Sequence, residues 1–281
     1  MKLLSLHLVH FRNYPSLDLS FSAPRNLIQG SNGQGKTNLL EAIYYCSRFT
    51  SFRTRDGRDL LENERPFFHI QAEYESGDLL HDLNIHFAEG EKTVRLDHKA
   101  LPSQRRHFRD FPVFFFSHQD LDLALGPPVG RREYFDSALE LVSEPYGETL
   151  RAYARALAQR NAELRSGSHS GVWDEALAHH GLRIIKARLS FLTAIGSHFE
   201  KIYQRFFDGK GLEGTIGYLH RQKFSPTLEG LTPPDAETYL QNLLTYLPAD
   251  LKTRTTHYGP HKDDFGFYFG GHPLKSQASQ G

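Results

Sequence analysis

Residues 30–37 read Gly30-Ser31-Asn32-Gly33-Gln34-Gly35-Lys36-Thr37, which matches the pattern G-x-x-x-x-G-K-[ST] of phosphate-binding loops. Glycines in such a loop let the backbone curl so that several N–H groups point at one anion. A helix that starts near Gly35 adds the positive end of its dipole. We therefore predict that residues 30–37 bind the phosphates of a nucleoside triphosphate, that Lys36 reaches the β- and γ-phosphates, and that Thr37 is a ligand of Mg²⁺.

The sequence on either side of the loop supports this interpretation. Asn26-Leu27-Ile28-Gln29 is a short apolar segment that predicts a strand entering the loop. Leu39-Leu40-Glu41-Ala42-Ile43-Tyr44 predicts the helix that leaves it. The alternative is a chance glycine-rich turn that binds nothing, and the strand before the loop and the helix after it disfavour that alternative.

Composition and charge limit the classes of protein to consider. The chain has 281 residues, of which 39% are hydrophobic and 23% are charged, as in ordinary globular domains. No apolar run approaches the length of a membrane span. Because Cys46 is the only cysteine, no internal disulfide can form, and a reducing cytoplasm is the expected location. The formal net charge of zero argues against a uniformly basic surface and leaves room for a local basic patch.

Alternating and apolar segments predict the strands of the chain. In most of them apolar and polar residues alternate, which predicts a strand with one buried face. Residues 111–116 instead form a fully apolar run that predicts a strand buried on both faces. A loop and a short helix are predicted over 48–60. The predicted strands are 2–10, 17–21, 26–29, 67–75, 81–87, 92–96, 111–116, 214–219 and 265–269.

Two long helices are predicted in the second half of the chain. Apolar residues recur at helical spacing over 146–164, and a longer helix is predicted over about 173–207. The short loop between them predicts an antiparallel hairpin that projects from the nucleotide domain. An ordinary pair of core helices is the alternative. A further helix is predicted over 235–247.

Four segments, taken together, resemble the RecF family of bacterial DNA repair proteins. The last two are far more specific to that family than the phosphate loop is, and the resemblance spans the chain from end to end. The segments are Leu8-Val9-His10-Phe11-Arg12-Asn13-Tyr14, Gly35-Lys36-Thr37-Asn38-Leu39-Leu40-Glu41-Ala42-Ile43, Arg131-Arg132-Glu133-Tyr134-Phe135-Asp136, and Tyr258-Gly259-Pro260-His261-Lys262-Asp263-Asp264 followed by Ala278-Ser279-Gln280-Gly281.

The resemblance implies a fold and a domain order. The implied fold is α/β, a P-loop ATPase head of the ABC/SMC type with mixed sheets and an inserted α-helical hairpin arm. The head would comprise residues 1–130 and 210–281, ending within the signature motif, and the arm residues 131–209. In such proteins two heads close on two ATP molecules, so that Ser279 would approach the γ-phosphate held by the partner subunit.

The resemblance also implies a function. It indicates an ATP-gated DNA-binding protein of recombinational repair, active in gap repair, replication-fork maintenance and the SOS response. As an ATP-dependent homodimer it would bind ssDNA/dsDNA junctions and promote recombinase loading, with RecR and RecO as partners and no membrane. One alternative is another SMC-like repair ATPase head, which the shortness of the hairpin disfavours. A metabolic P-loop kinase is the other, and it would carry no signature motif.

The chain departs from the family pattern in two places. It stops at Gly281, before the aliphatic strand and acidic residues of a Walker B motif. No catalytic residue is therefore assigned, and this chain is predicted not to hydrolyse ATP, although weak DNA-stimulated ATPase activity is implied for the full-length family. His118-Gln119 stand where the family usually has Pro-Glu. Gln119 is predicted as a second Mg²⁺ ligand, with a polar loop that contacts no metal as an equal alternative.

Several further polar residues have a functional and an ordinary interpretation. Arg12 and Asn13 lie in a turn that sits beside the nucleotide in similar ATPases, so they are predicted to contact ATP; a solvated turn is the alternative. Arg53 and Arg55 face either DNA or solvent. Charges on the polar faces of the hairpin are usually solvation, although they could grip DNA phosphates; they include Arg151, Arg155, Lys186 and Arg188.

Overall fold

The structure, a computed structural model, divides into two compact units, residues 1–116 and residues 117–281. In the part of the chain that the structure describes, none of the helices combines the length and the apolar character that crossing a membrane requires. The described residues are 1–281 except 23, 55, 64, 102–106, 109, 118–119, 207–213, 221–222, 226–227, 229–230 and 278–281.

The first unit contains a sheet in which every described pair of strands is antiparallel, with the order β2-β1-β3-β4-β5-β6. Side chains alternate between its faces, as the sequence pattern predicts. In β1, for example, Leu6 and Leu8 are buried, and His7 between them belongs to the other face. The strands are β1 (Lys2–Phe11), β2 (Tyr14–Ser20), β3 (Phe67–Ser76), β4 (Leu79–Ala88), β5 (Glu91–Leu96) and β6 (Lys99–Ala100).

Helix α1 (Lys36–Arg48) packs on the apolar face of this sheet. Its buried residues Leu39, Ala42 and Tyr45 belong to the same core as Ile70 of β3. Cys46 is also in this core, and burial raises the pKa of its thiol to about 12, so it is a packed apolar residue and not a reactive thiol. A short 3-10 helix (Gly57–Leu60) lies in the predicted loop region after α1.

Two predicted strands of this unit are wrong. Residues 26–29 and 111–116 form no strand in the structure. Their inward residues, Ile28 and Val113, pack against the core, whereas Leu27, Phe114 and Phe116 are 84%, 81% and 83% exposed. An apolar run becomes a strand only when a neighbouring strand accepts its backbone hydrogen bonds, and no described strand pairs with either segment.

The second unit combines a small sheet with a layer of helices. Its described strand pairs are antiparallel and the strand order is β10-β9-β7-β8. The strands are β7 (Gly214–His220), β8 (Lys223–Ser225), β9 (Asp264–Phe269) and β10 (His272–Pro273). The helices are α2 (Leu121–Leu125), α3 (Pro128–Val142), α4 (Glu144–Arg165), α5 (Asp174–Phe206), α6 (Ala236–Thr253) and α7 (Leu274–Gln277).

Helices α4 and α5 form an antiparallel pair. Arg160 near the end of α4 contacts Asp174 at the start of α5, and Tyr146 near the start of α4 contacts Arg188 in the middle of α5. Both helices contribute to one core that also contains residues of β7 and β9. The hairpin predicted from the sequence is therefore present and packs on the sheet of its own unit. The predicted limits of an arm domain, 131–209, stay a prediction.

Candidate functional site

The loop at residues 30–37 has the backbone conformation that its glycines permit. Gly33 has a φ of 84° and Gly35 a φ of 103°, in a region that other residues rarely adopt. Gly35 has a second reason to lack a side chain. A Cβ at this position would lie 2.6 Å from Oδ1 of Asn13 and 2.8 Å from the hydroxyl of Tyr14. The β1–β2 turn thus lies directly against the end of the loop.

The loop ends at the N-terminus of α1, where no side chain caps the helix. The first backbone N–H groups of α1 have no partner within the helix, and with the dipole they make this end favourable for an anion. The Lys36 ammonium donates to the carbonyl oxygens of Gly30 and Ser31 at 2.8 and 2.7 Å, which holds its charge beside the loop. Thr37 follows in the first turn with an exposed side chain.

Asn13 fixes the turn between β1 and β2 to the loop. Its amide donates to the carbonyl oxygen of Gln34 at 3.2 Å and accepts from the Asn38 amide at 2.8 Å. Arg53 in turn donates to Oδ1 of Asn38 at 2.8 Å. Three segments that are distant in sequence therefore meet at the phosphate loop.

A buried ion pair lies beneath this contact. Glu41 of α1 is fully buried, and Nε and Nη2 of Arg12 donate to its two carboxylate oxygens at 2.9 and 2.7 Å. Ser51 also donates to this carboxylate, and Arg53 lies 3.5 Å from it. Bidentate guanidinium–carboxylate contacts are both strong and directional. The pair therefore sets the position of the turn relative to the helix that carries Lys36.

All three guanidinium nitrogens of Arg12, and its backbone N–H, have hydrogen-bond partners in the protein. Its third nitrogen, Nη1, donates to the carbonyl oxygen of Asp59 at 2.6 Å. Its backbone has a φ of 57°, and its N–H donates to the carbonyl oxygen of Leu60 at 2.7 Å. A left-handed arginine is held only where its surroundings over-determine it. The structure thus adds Glu41, Ser51 and Asp59 to the predicted set. The sequence feature that could have indicated Glu41 is its position as the one charged residue in the apolar segment 39–44.

The predicted site residues have different outcomes. Residues 30–37, Arg12 and Asn13 lie together around the start of α1. Direct contact of Arg12 and Asn13 with ATP stays a prediction. In the structure Arg12 contacts Glu41, and Asn13 contacts Gln34 and Asn38. Gln119, Ser279 and Arg55 lie outside the described residues.

In the second unit, the two most family-specific segments meet. Nε and Nη2 of Arg131 each donate to a carboxylate oxygen of Asp264 at 2.8 Å, and Nη1 of Arg132 donates to the carbonyl oxygen of Asp263 at 2.8 Å. Asp263 also accepts a hydrogen bond from the hydroxyl of Tyr218. These residues join α3 to the start of β9, which explains why the sequence carries both segments as charged clusters.

Arg188 corrects a prediction from the sequence. It was expected on the polar face of the hairpin, yet it is 2% exposed. Its Nε and Nη2 donate to the Asp136 carboxylate at 2.9 and 2.8 Å, and Nη1 donates to the carbonyl oxygen of Pro260 at 2.8 Å. Helical spacing alone could not reveal this, because the partner carboxylate comes from another helix. Arg188 is therefore unavailable for contacts with DNA.

His261 lies in the same family-specific segment as Asp263 and Asp264, and both nitrogens of its ring have a partner. Its Nε2 lies 3.0 Å from the carbonyl oxygen of Thr256 and its Nδ1 lies 2.7 Å from the hydroxyl of Tyr153. A carbonyl can only accept, so Nε2 carries the proton and Nδ1 accepts from Tyr153. Burial lowers the pKa of His261 to about 4, which keeps the ring neutral at physiological pH.

The whole chain is similar to proteins named DNA replication and repair protein RecF. The relative from Natranaerobius thermophilus is 32% identical over 297 residues, an alignment that covers 100% of this chain and 76% of the relative. The relative from Chlamydia caviae is 32% identical over 271 residues and covers 94% of this chain and 71% of the relative. The chain belongs to the RecF family.

Solved RecF structures share the fold. One is described as the recombination mediator protein RecF-ATP in the RecFOR pathway; it has a TM-score of 0.84 and 27% sequence identity, and covers 99% of this chain and 76% of the RecF chain. The corresponding RecF-ATPrS structure also has a TM-score of 0.84, at 26% identity. The family described as AAA domain matches residues 5–106. The predicted RecF resemblance and α/β ATPase-head fold are confirmed, and a metabolic kinase is excluded.

Proposed function

We propose that this RecF-family chain binds ATP at residues 30–37 and uses the bound nucleotide to control its hold on DNA. The observation that carries the proposal is the loop itself. An uncapped helix N-terminus, a left-handed glycine at its start and the ammonium of Lys36 converge on one small region. Backbone N–H groups, a helix dipole and one cation are the groups that bind a triphosphate.

The residues of the loop fit both ATP and Mg²⁺. A Cβ at Gly33 would meet no atom within 4 Å, so the outer side of the loop is open to a ligand. Lys36 would exchange its two carbonyl partners for phosphate oxygens, and the Thr37 hydroxyl would hold Mg²⁺. The metal would neutralise phosphate charge when bound. Direct contacts from Asn13 and Arg12, and a Gln119 contact with the metal, are the further parts of the proposal.

DNA and protein partners follow from the family. Solved relatives are described as recombination mediators of the RecFOR pathway. We extend this role to the present chain: two copies close on ATP, with Ser279 of each copy facing the nucleotide of the other, and clasp a junction of single- and double-stranded DNA, where RecR and RecO are recruited. Because closure needs an intact γ-phosphate, ATP sets how long the complex stays closed. The lack of hydrolysis and a cytoplasmic location stay predictions.

The decisive experiment removes the ammonium and keeps the fold. In Lys36→Ala, the affinity for ATP should fall by roughly 3 kcal/mol, or more than 100-fold, because a hydrogen-bonded charge facing the phosphates is lost. Binding is measured by calorimetry with Mg²⁺ and ATP. Lys99→Ala serves as the matched control, since Lys99 is an exposed lysine in β6 of the same unit.

Two outcomes are informative. Lys36→Ala should melt within a few degrees of the wild-type protein, because the half-buried Lys36 side chain bonds only to carbonyl oxygens of the loop itself. It should also retain less DNA when ATP is present. Unchanged ATP affinity in a folded Lys36→Ala variant would overturn the proposal. A loss of affinity in Lys99→Ala of the same size would show that charge in general, and not this loop, governs binding.

A further inference from the structure

A basic surface lies on the outer side of the α4–α5 pair. Four residues form it, and we call them the basic strip; all four are exposed: Arg151, Arg155, Arg183 and Lys186. Arg151 and Arg155 are one turn apart on α4, and Arg183 and Lys186 are one turn apart on α5. Residues at these spacings share one face of a helix.

The charges of this strip are largely uncommitted. In the described part of the chain, no carboxylate is paired with Arg155, Arg183 or Lys186, and Arg151 makes only a long contact of 3.7 Å with Glu140. The buried arginines of the same two helices differ sharply, because Arg160 and Arg188 each hold a carboxylate at 2.8 Å. Arginines that serve the fold are thus neutralised here, and those of the strip are not.

Partial burial and the positive charges of the strip lower the pKa of a neighbouring histidine, His180. The pKa of His180 is lowered by its partial burial and then by the positive charges of His179, Arg183 and Arg155. Arg155 belongs to α4 and Arg183 to α5, so charges from both helices act on one point. The antiparallel contacts of Arg160 with Asp174 and of Tyr146 with Arg188 pair α4 with α5 along this stretch, so both helices contribute residues to the strip.

The spacing of the strip suits a phosphate backbone. Cations one turn apart lie roughly 5–6 Å from one another along each helix, and packed helices are about 8–10 Å apart. Duplex DNA presents one charge per about 1.7 Å of its axis, so a patch of this size lies within reach of several phosphates. Arginine and lysine on exposed helix faces can reach phosphate oxygens through their charge. Such a surface binds by charge, without sequence preference.

We propose that the basic strip grips the phosphate backbone of duplex DNA. This inference rests on the proposed function, since it names the surface through which the protein holds DNA. Arg155 and Arg183 are its central members. Each contributes one phosphate contact, and each contact contributes about 0.9 to the slope of log affinity against log salt concentration.

The test measures binding of the full chain to a short fluorescent DNA duplex at a series of salt concentrations. Arg155→Gln with Arg183→Gln should lower the slope by about 2. If the two lines meet near 1 M salt, binding at 0.1 M is roughly 60-fold weaker. The matched control is Arg165→Gln with Lys252→Gln, which removes two exposed positive charges elsewhere in the same unit. Arg155→Lys with Arg183→Lys keeps the charge and should keep the slope.

The outcomes distinguish a failure of the proposed function from a failure of the inference about the basic strip. If the wild-type chain binds neither a duplex nor a junction of single- and double-stranded DNA, with or without ATP, the proposed function fails. If it binds the junction only through its single-stranded part and never a duplex, the inference about the strip fails and the proposed function stands. If the wild-type chain binds and the Arg155/Arg183 glutamine variant has the slope of the control variant, the strip is not the contact surface. Unchanged DNA binding together with lost binding to poly-glutamate would assign the strip to an acidic protein and would equally overturn the inference. A thermal melt of each variant confirms that it is folded.

Discussion

The buried pair of Arg12 and Glu41 yields the sharpest prediction of the structure. Glu41→Gln removes one negative charge and changes little else in shape. The amide keeps one acceptor oxygen for Arg12, but its NH₂ group then faces a guanidinium N–H, two donors in contact. Arg12 also keeps its contact with the carbonyl oxygen of Asp59, which carries no charge. The variant therefore leaves a largely buried guanidinium without a counter-charge.

The magnitude follows from the burial of the two side chains. Removing one partner of a buried pair costs about 3–5 kcal/mol. Glu41 is 0% exposed and Arg12 is 17% exposed, so water reaches part of the guanidinium and the lower end of that range applies. A loss of about 3 kcal/mol is a large share of the 5–15 kcal/mol that stabilises a typical domain. The melting temperature should fall by about 10 °C.

The assay combines thermal unfolding with ATP titration. ATP affinity should fall as well, because the pair holds the turn whose Asn13 contacts Gln34 and Asn38 at the loop. Glu91→Gln is the control, since Glu91 is exposed at the start of β5. Replacing both partners with leucine should recover much of the lost stability, because the desolvation of two charges disappears with them. A Glu41→Gln protein that melts within 2 °C of wild type would refute this reasoning.

Two further predictions concern single positions. Gly35→Ala should destabilise the protein and weaken ATP binding more than Gly77→Ala does, as measured in parallel melts and titrations. Both glycines have positive φ, but only at Gly35 would a Cβ collide, at 2.6 Å from Asn13. Equal losses in the two variants would contradict this reasoning. Because of His261, the free energy of unfolding should fall by about 2.5 kcal/mol between pH 7 and pH 4.5. The pKa of His261 in the folded protein is about 4, below the value near 6.5 in the unfolded chain, so the unfolded chain binds the proton first as the pH falls. Urea unfolding at both pH values should show a smaller fall in His261→Gln, and an equal fall would count against the assignment.

Local sequence signals were sufficient for most of the first unit. The alternation in β1 and the glycine pattern at 30–37 report conformations that a few neighbouring residues determine. Segments 26–29 and 111–116 failed for the opposite reason. Their apolar composition is typical of a buried strand, but strand formation depends on a partner elsewhere in the chain, and the exposed Phe114 and Phe116 show that none of the described strands supplies one.

Long-range pairs mark the other limit of sequence reasoning. Arg131 and Asp264 are 133 residues apart, and Arg12 and Glu41 are 29 residues apart. Composition shows that both charges exist, whereas only the fold shows that they meet. The same limit explains the wrong prediction for Arg188. The helix that carries it was predicted correctly, but its burial was not, because the Asp136 carboxylate that lets it be buried belongs to α3.

These pairs give a physical criterion for separating architecture from function in this protein. A charge buried in a fold must be matched by an opposite charge or by hydrogen bonds, because burying it alone is prohibitively unfavourable. Arg12, Arg131 and Arg188 all meet this condition with bidentate carboxylates, so their charges are consumed by the fold. Lys36 and the basic strip carry charge at the surface, where only backbone carbonyls or one distant glutamate compete for it. This criterion supports the two proposals made above, a triphosphate at the loop and a phosphate backbone on the helix pair, because the charge is still available at both places.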